Sequence, residues 1–232
     1  MRLDRLISKW SGKGRRTARA LIHSGEVTVN ETVIKKDDFL VGNFDQVFCG
    51  AETVQARVAR YLMLWKPAGI VCATRDAEHT TVIDLIDETW AGELHLAGRL
   101  DRSTTGFVIL TNDSRFSESL TLPEKKVGKR YLVAVDGEIG PDVTLAFEKG
   151  MWFDQEAITT APAVELLDAN RCRLTIYEGK HHQIKRMFAR FGLRVTNLHR
   201  EALGPLMLDA ELKPGAWRFL TETEMANFGV EI

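Results

Sequence analysis

Leu3, Leu6, Ile7 and Trp10 recur at i, i+3, i+4 and i+7, the spacing of one apolar stripe along an α-helix. A second helix is expected from about Arg16 to Ser24, burying Ala18, Leu21 and Ile22 and stopping at Gly25, a residue type that accepts the left-handed conformation of helix ends. Val27, Val29 and Val33 flank Asn30-Glu31 as in a hairpin, and Phe39 to Phe48 reads as another short strand pair. Residues 1–50 therefore read as a small α/β unit with a modest core. Residues 51–59 are polar and non-periodic and read as a linker.

The texture changes at Tyr61. Strands are expected at Tyr61 to Trp65, Ile70 to Cys72, Phe107 to Leu110, Arg130 to Val135, Ala163 to Leu167 and Arg171 to Tyr177. Between and after them come helices over Val82, Leu85 and Ile86, from Ser114 to Leu122, and through Ile184, Met187, Phe188 and Phe191. Thr221 to Glu224 has the capping-box pattern of one more helix. Several strands follow one another without a long helix between them. The second unit, residues 60–232, is thus expected to be α+β, with a mainly antiparallel mixed sheet rather than a doubly wound one.

The overall composition is ordinary: 44% hydrophobic and 27% charged residues, with a formal charge of −1. That excludes a disordered, collagen-like or coiled-coil chain. The longest apolar stretch, around Tyr61 to Cys72, is cut by Lys66-Pro67, so no bilayer span and no membrane partner is expected. Three widely spaced cysteines, Cys49, Cys72 and Cys172, fit reduced thiols in a cytoplasmic protein. What changes the picture is where the charges lie. Residues 1–25 hold seven Lys/Arg against one Asp, and residues 179–200 hold six Lys/Arg and no acid. Arg2, Lys13, Arg15, Arg16 and Arg19 in the first cluster, with Lys125 and Lys126 further on, suit a polyanion such as RNA or DNA.

Three stretches carry candidate chemistry. Gly98-Arg99-Leu100-Asp101-Arg102-Ser103-Thr104-Thr105-Gly106 sets a carboxylate between two glycines directly before an apolar strand, where Arg99, Arg102 and Thr104 could order it or a phosphate. On the residues alone, Asp101 could equally be the structural acid of a turn. Gly179-Lys180-His181-His182-Gln183-Ile184-Lys185-Arg186 crosses from a strand end into a helix start, a place suited to an anion, although a solvated helix face would look the same. In an extended segment His181 and His182 point opposite ways, and no metal motif appears, so no metal is expected. Tyr131 alternates with Val133 and Val135 and is either a core side chain or a stacking platform for a base. No glycine-rich nucleotide motif is present, which speaks against a nucleotide cofactor.

Taken together, these stretches resemble a family. Leu64-x-Lys66-Pro67-x-Gly69, Gly98-Arg99-Leu100-Asp101-x-x-Thr104-x-Gly106, Lys129-x-Tyr131-x-Val133 and Gly179-Lys180-x-His182-Gln183-Ile184-Lys185-Arg186-Met187 follow the order and spacing of the pseudouridine synthases of the RsuA type. Residues 1 to about 50 resemble the small RNA-binding domain first recognised in ribosomal protein S-four. Gly69 to Ile86 and Leu198-His199-Arg200-Glu201 look closest to the enzymes of the small ribosomal subunit. Trp65 stands where the family usually has Asn, Lys180 where Arg is common, and Asn30-Glu31 where a glycine-containing turn is usual.

The resemblance implies isomerisation of a uridine to pseudouridine in 16S ribosomal RNA, at a uridine-516-type site. The substrate would be that RNA or a small-subunit assembly intermediate. It implies a monomer that needs no cofactor, with Asp101 as the catalytic carboxylate, Tyr131 stacking on a flipped-out base and Lys185 pairing with Asp101. Ile184 would pack on the base's other side, and Arg99, Arg102, Thr104, Lys180, His182, Gln183 and Arg186 would surround the substrate. The alternatives are a 23S ribosomal RNA or transfer-RNA-like site for the same chemistry, or a non-catalytic RNA-binding factor in ribosome assembly.

Overall fold

A computed structural model of the chain describes residues 1–153, 156–157 and 163–228. Residues 154–155, 158–162 and 229–232 of the expected catalytic unit lie outside the described residues. The chain divides into two compact units, Met1–Ala59 and Arg60–Ile232.

In the first unit, α1 (Leu3–Ser11) and α2 (Arg15–Ser24) follow the apolar spacing, and Gly25 ends α2 with φ 84°. Strands β1 (Val27–Val29) and β2 (Thr32–Val33) form the hairpin, with Asn30 and Glu31 taking φ of 46° and 66° in its turn. The second strand pair lies later than the pattern suggested. It joins β3 (Val47–Cys49) to β4 (Glu52–Gln55), so the stretch expected to be a linker carries a strand of the sheet β2-β1-β3-β4. Residue Glu52 and Thr53 are exposed because β4 is an edge strand, which is why it shows no apolar alternation.

One feature of this unit was hidden in the sequence: Asp4 is fully buried, and Arg2, Arg15 and Arg19 all reach its carboxylate, at 3.1, 3.1 and 3.3 Å. Three of the five basic residues read as an RNA grip thus also hold this carboxylate, and two of them, Arg15 and Arg19, tie α2 to α1 through it. Burial alone would push the Asp4 pKa up, but hydrogen bonds from the three arginines outweigh it and hold the carboxyl at about 2. A depressed folded-state value means the ionised form stabilises the unit. That contribution is complete above the ordinary carboxylate range and disappears as the pH falls towards about 2. We expect Asp4→Asn to weaken amide-exchange protection in α2 at neutral pH and to flatten its dependence on pH between 4 and 2. Unchanged protection would mean that the arginine cluster does not stabilise the unit.

The second unit contains β5 (Tyr61–Lys66), β6 (His95–Leu96), β7 (Thr105–Thr111), α3 (Ser114–Thr121), β8 (Lys129–Val135) and α4 (Pro141–Lys149). There follow β9 (Trp152–Phe153), β10 (Glu156–Ala157), β11 (Ala163–Leu166), β12 (Arg171–Ile176), α5 (Gln183–Ala189), β13 (Val195–Leu203), β14 (Leu206–Met207), β15 (Trp217–Phe219) and α6 (Glu222–Ala226). The main sheet runs β11-β12-β8-β13-β7-β5-β15, antiparallel throughout except where β13 lies parallel to β7. The α+β reading with a mainly antiparallel mixed sheet therefore holds.

The central strands β5 and β7 are apolar on both sides because both sides are covered. Leu62, Leu64, Val108 and Leu110 join Tyr131, Val133, Ile184 and Phe188 in one core, while Met63, Phe107, Ile109, Phe116 and Leu203 form another. Two expected elements are absent. Val82 and Ile86 are buried at the expected spacing, but residues 80–90 run as turns. The Asp84 carboxylate accepts from the Thr81 backbone and hydroxyl, and the Asp84 amide donates back to that hydroxyl, a capping arrangement. After it the Ile86 amide closes a single turn on the Ile83 carbonyl at 3.0 Å, and the chain does not continue as a helix. Likewise Ile70 to Cys72 form no strand; Val71 makes a single bridge to Thr81. The contact of β13 with β7 depends on Gly106, which has φ 108°, and a Cβ there would lie 2.3 Å from the Arg200 carbonyl oxygen.

Candidate active site

Asp101 stands in the loop between β6 and β7, and the loop is tied down from several directions. The Thr104 amide donates to the Asp101 carbonyl at 3.0 Å, closing a turn. Gly69 and Arg102 exchange hydrogen bonds, backbone to carbonyl at 2.9 Å and guanidinium to carbonyl at 3.1 Å. Beneath the loop lies Lys66, fully buried, whose Nζ donates to the carbonyls of Pro67, Arg102 and Thr104 at 3.0, 3.1 and 2.8 Å. Burial pushes the Lys66 pKa down, against the fields of Cys72 and Asp101. Three carbonyls use all three ammonium donors, so this cation fixes the loop instead of meeting solvent.

Lys185 approaches from α5. His182, at the helix start, takes φ 51°, and Lys185 one turn on points its Nζ to Asp101 Oδ2 at 2.9 Å and to Ser103 Oγ at 3.1 Å. His182 Nε2 lies 3.6 Å from the same carboxylate oxygen. The left-handed backbone at His182 also undoes the expected divergence of the two histidines: their rings stack with centroids 3.8 Å apart.

These groups open onto a cleft of about 870 Å³. It is lined by Asp101, Tyr131 and Lys185, and also by Arg99, Arg102, Thr104, Lys180, His182, Gln183 and Ile184. Of the other residues expected to bind RNA or substrate, Lys126 is also in the lining, whereas Arg186 and Lys125 are not. Arg2, Lys13, Arg15, Arg16 and Arg19 belong to the first unit. Trp65, the departure from the usual Asn, is adjacent to Lys66 on β5 and so alternates to the opposite face, where its ring packs edge-on to His199 at 5.4 Å.

Lys66 and Arg200 were not expected at the site. Both sit in the inward phase of a strand, Lys66 with Leu62 and Leu64, and Arg200 with Leu198 and Ala202. A charged residue in an inward phase is the signal that could have found them. We expect Lys66→Met to lower stability by about 2–3 kcal/mol, since three carbonyls lose a charged donor, and to slow the reaction more than it weakens RNA binding. A thermal melt and a binding curve check this; wild-type values in both would show that the loop holds its shape without the lysine.

A strand-rich unit with a carboxylate–lysine pair in a cleft, in one chain with a small basic unit of two helices and a four-stranded sheet, matches one family in detail. The family described as RNA pseudouridylate synthase matches residues 60–190, and the S4 domain matches residues 1–47. The chain belongs to the RNA pseudouridylate synthase family. Among its relatives, the ribosomal small subunit pseudouridine synthase A of Escherichia coli strain K12 is 42% identical over 98% of this chain and 99% of its own. The protein of that name from Pseudomonas aeruginosa is also 42% identical, over 98% of this chain and 100% of its own. A crystal structure of a pseudouridylate synthase, 35% identical, superposes with a TM-score of 0.71 over 98% of this chain and 99% of the other.

Proposed function

We propose that the protein converts a single uridine of small-subunit ribosomal RNA to pseudouridine, at a uridine-516-type position, acting in the cytoplasm on the RNA or on an assembly intermediate. The observation that carries the choice of RNA is the match over both units, small domain included, to relatives named for the small subunit.

The chemistry follows from the cleft. A uridine inside a folded RNA cannot reach Asp101, so the nucleotide must flip out, and Tyr131 and Ile184 offer faces between which the base would lie. The bond between C1′ and N1 breaks, and its electron pair leaves with the base. The Asp101 carboxylate forms or stabilises an adduct at the ribose. Lys185, 2.9 Å away, holds that carboxylate in place and balances its charge. The detached base turns, C5 bonds to C1′, the proton on C5 is lost to a base in the cleft or to solvent, and N1, no longer bonded to the ribose, takes up a proton. Atoms balance as an isomerisation.

To test the target, 16S and 23S ribosomal RNA, naked and in ribosomal particles, would be incubated with the protein and scanned for new pseudouridine. The expected result is one new pseudouridine, in 16S RNA. Modification confined to 23S or transfer RNA would overturn the assignment of the substrate while leaving the reaction in place.

A further inference from the structure

We propose that Arg200 reads the flipped-out base, its Nη2 donating a hydrogen bond to a carbonyl oxygen of the uracil ring. The proposal rests on the reading that this cleft takes a uridine beside Asp101.

Arg200 is 1% exposed and yet lines the cleft. Its place is fixed from both ends. The backbone packs against Gly106, where no Cβ fits, and pairs in register with Tyr131. The guanidinium is clamped by Nε, which donates to the Phe107 carbonyl at 2.6 Å. With the group so held, Nη2 is buried without a hydrogen-bond partner, and no carboxylate forms an ion pair with Arg200 among the described residues. A buried guanidinium donor with no acceptor is costly, and a rigid one of that kind at the floor of an open cleft points to an acceptor on the ligand.

Two more buried polar atoms without partners belong to residues lining the same cleft, Gln183 Nε2 and Thr104 Oγ1. Uracil presents two carbonyl acceptors and one N–H donor, a set that two N–H donors and one hydroxyl oxygen can satisfy. Cytosine carries the same kinds of group in another order, N3 accepting and the amino group donating, so a fixed donor placed to meet the second carbonyl would face an N–H instead. Arg200 is buried whereas His182 in the same lining is exposed, so a flipped base, which enters the cleft, suits Arg200 better than a backbone phosphate does. The Glu178 carboxylate lines the same cleft, and so does Lys129. Burial first, then the field of Arg200, lowers its pKa against the opposing field of Glu178.

The contact also bears on rate. When the bond from C1′ to N1 breaks, the electron pair left on N1 spreads onto the ring carbonyl oxygens. A donor fixed in advance at one of those oxygens is stronger for the detached base than for the bound uridine.

The test is a cycle between side chain and substrate. Single-turnover rates at saturating RNA would be measured for wild type, Arg200→Met and Arg200→Lys, on RNA carrying uridine, 2-thiouridine or 4-thiouridine at the target. Arg200→Met is expected to slow uridine turnover on the order of 10²-fold, with RNA affinity within a few-fold. Sulfur accepts hydrogen bonds poorly, so the thio-substitution at the contacted position should slow wild type about tenfold more than it slows Arg200→Met. Any effect of sulfur on the leaving base itself is common to both enzymes and cancels. Should Arg200→Met not fold, Arg200→Lys keeps the charge and most of the volume but loses the fork, and the same difference should appear, reduced. Equal thio effects in wild type and variant, or a variant defective in affinity alone, would overturn the proposal. Failure of the underlying reading looks different: wild type itself would then leave uridine RNA unchanged.

Discussion

Asp101→Asn is expected to abolish pseudouridine formation, a loss on the order of 10⁴-fold or more, while RNA affinity stays within a few-fold. The amide has nearly the shape of the carboxylate, and the loop that carries it is held by other groups: the Thr104 amide to the Asp101 backbone, the Lys66 ammonium to three carbonyls, and the Leu100 amide to Cys72 Sγ at 3.3 Å. The substitution should therefore leave the cleft intact and remove only what an amide lacks, a nucleophilic oxygen and its negative charge. Binding measured by filter retention and product measured by nucleoside analysis separate the two. A variant that turned over near the wild-type rate would take Asp101 out of the mechanism.

Lys185→Met is expected to cost about 10²- to 10³-fold in single-turnover rate at saturating RNA. The side chain has two contacts, Asp101 Oδ2 at 2.9 Å and Ser103 Oγ at 3.1 Å, and methionine keeps the stem while removing both. His182, at 3.6 Å from the same oxygen, is too far for a good hydrogen bond and should not replace the lysine. Lys185→Arg retains the charge and should be milder, although a planar fork does not reproduce a point donor. Saturating RNA matters because Lys185 is also part of a strongly basic segment. If the loss vanished at saturation, the lysine would be a phosphate contact, and its role as the partner of Asp101 would fall.

Both residues were legible in the sequence, but by different routes. Periodicity located α5, so Lys185 could be set at a helix start, and it located β7, so Asp101 could be set before a strand. Neither pattern could bring the two together, because they are 84 positions apart; that came from the order of the family's motifs. Lys66 and Arg200 stayed hidden for a related reason. Their partners are backbone carbonyls at Arg102, Thr104 and Phe107, to which residue type offers no clue. Strand β13 was missed because one of its faces is polar and its inward phase includes an arginine. Helix α4 was missed although Pro141 at its start was a usable signal, since exposed Leu145 blurs its apolar stripe. The opposite error, a helix over Val82 to Ile86, shows that apolar spacing reports burial before it reports conformation: Val82 and Ile86 are buried, yet the chain beyond the Thr81–Asp84 cap closes a turn and does not go on as a helix.

The most direct measurement of the central claim is tritium release from 16S ribosomal RNA whose uridines carry tritium at C5. Pseudouridine formation must expel the hydrogen on C5, because that carbon becomes the attachment point to ribose, whereas binding, folding or chaperoning of RNA leaves it in place. With wild-type protein, release should rise to a single equivalent per RNA molecule and stop; with Asp101→Asn at the same RNA occupancy, none should appear. RNA that is bound tightly by wild type yet keeps all its tritium, or equal release by both proteins, would contradict the account.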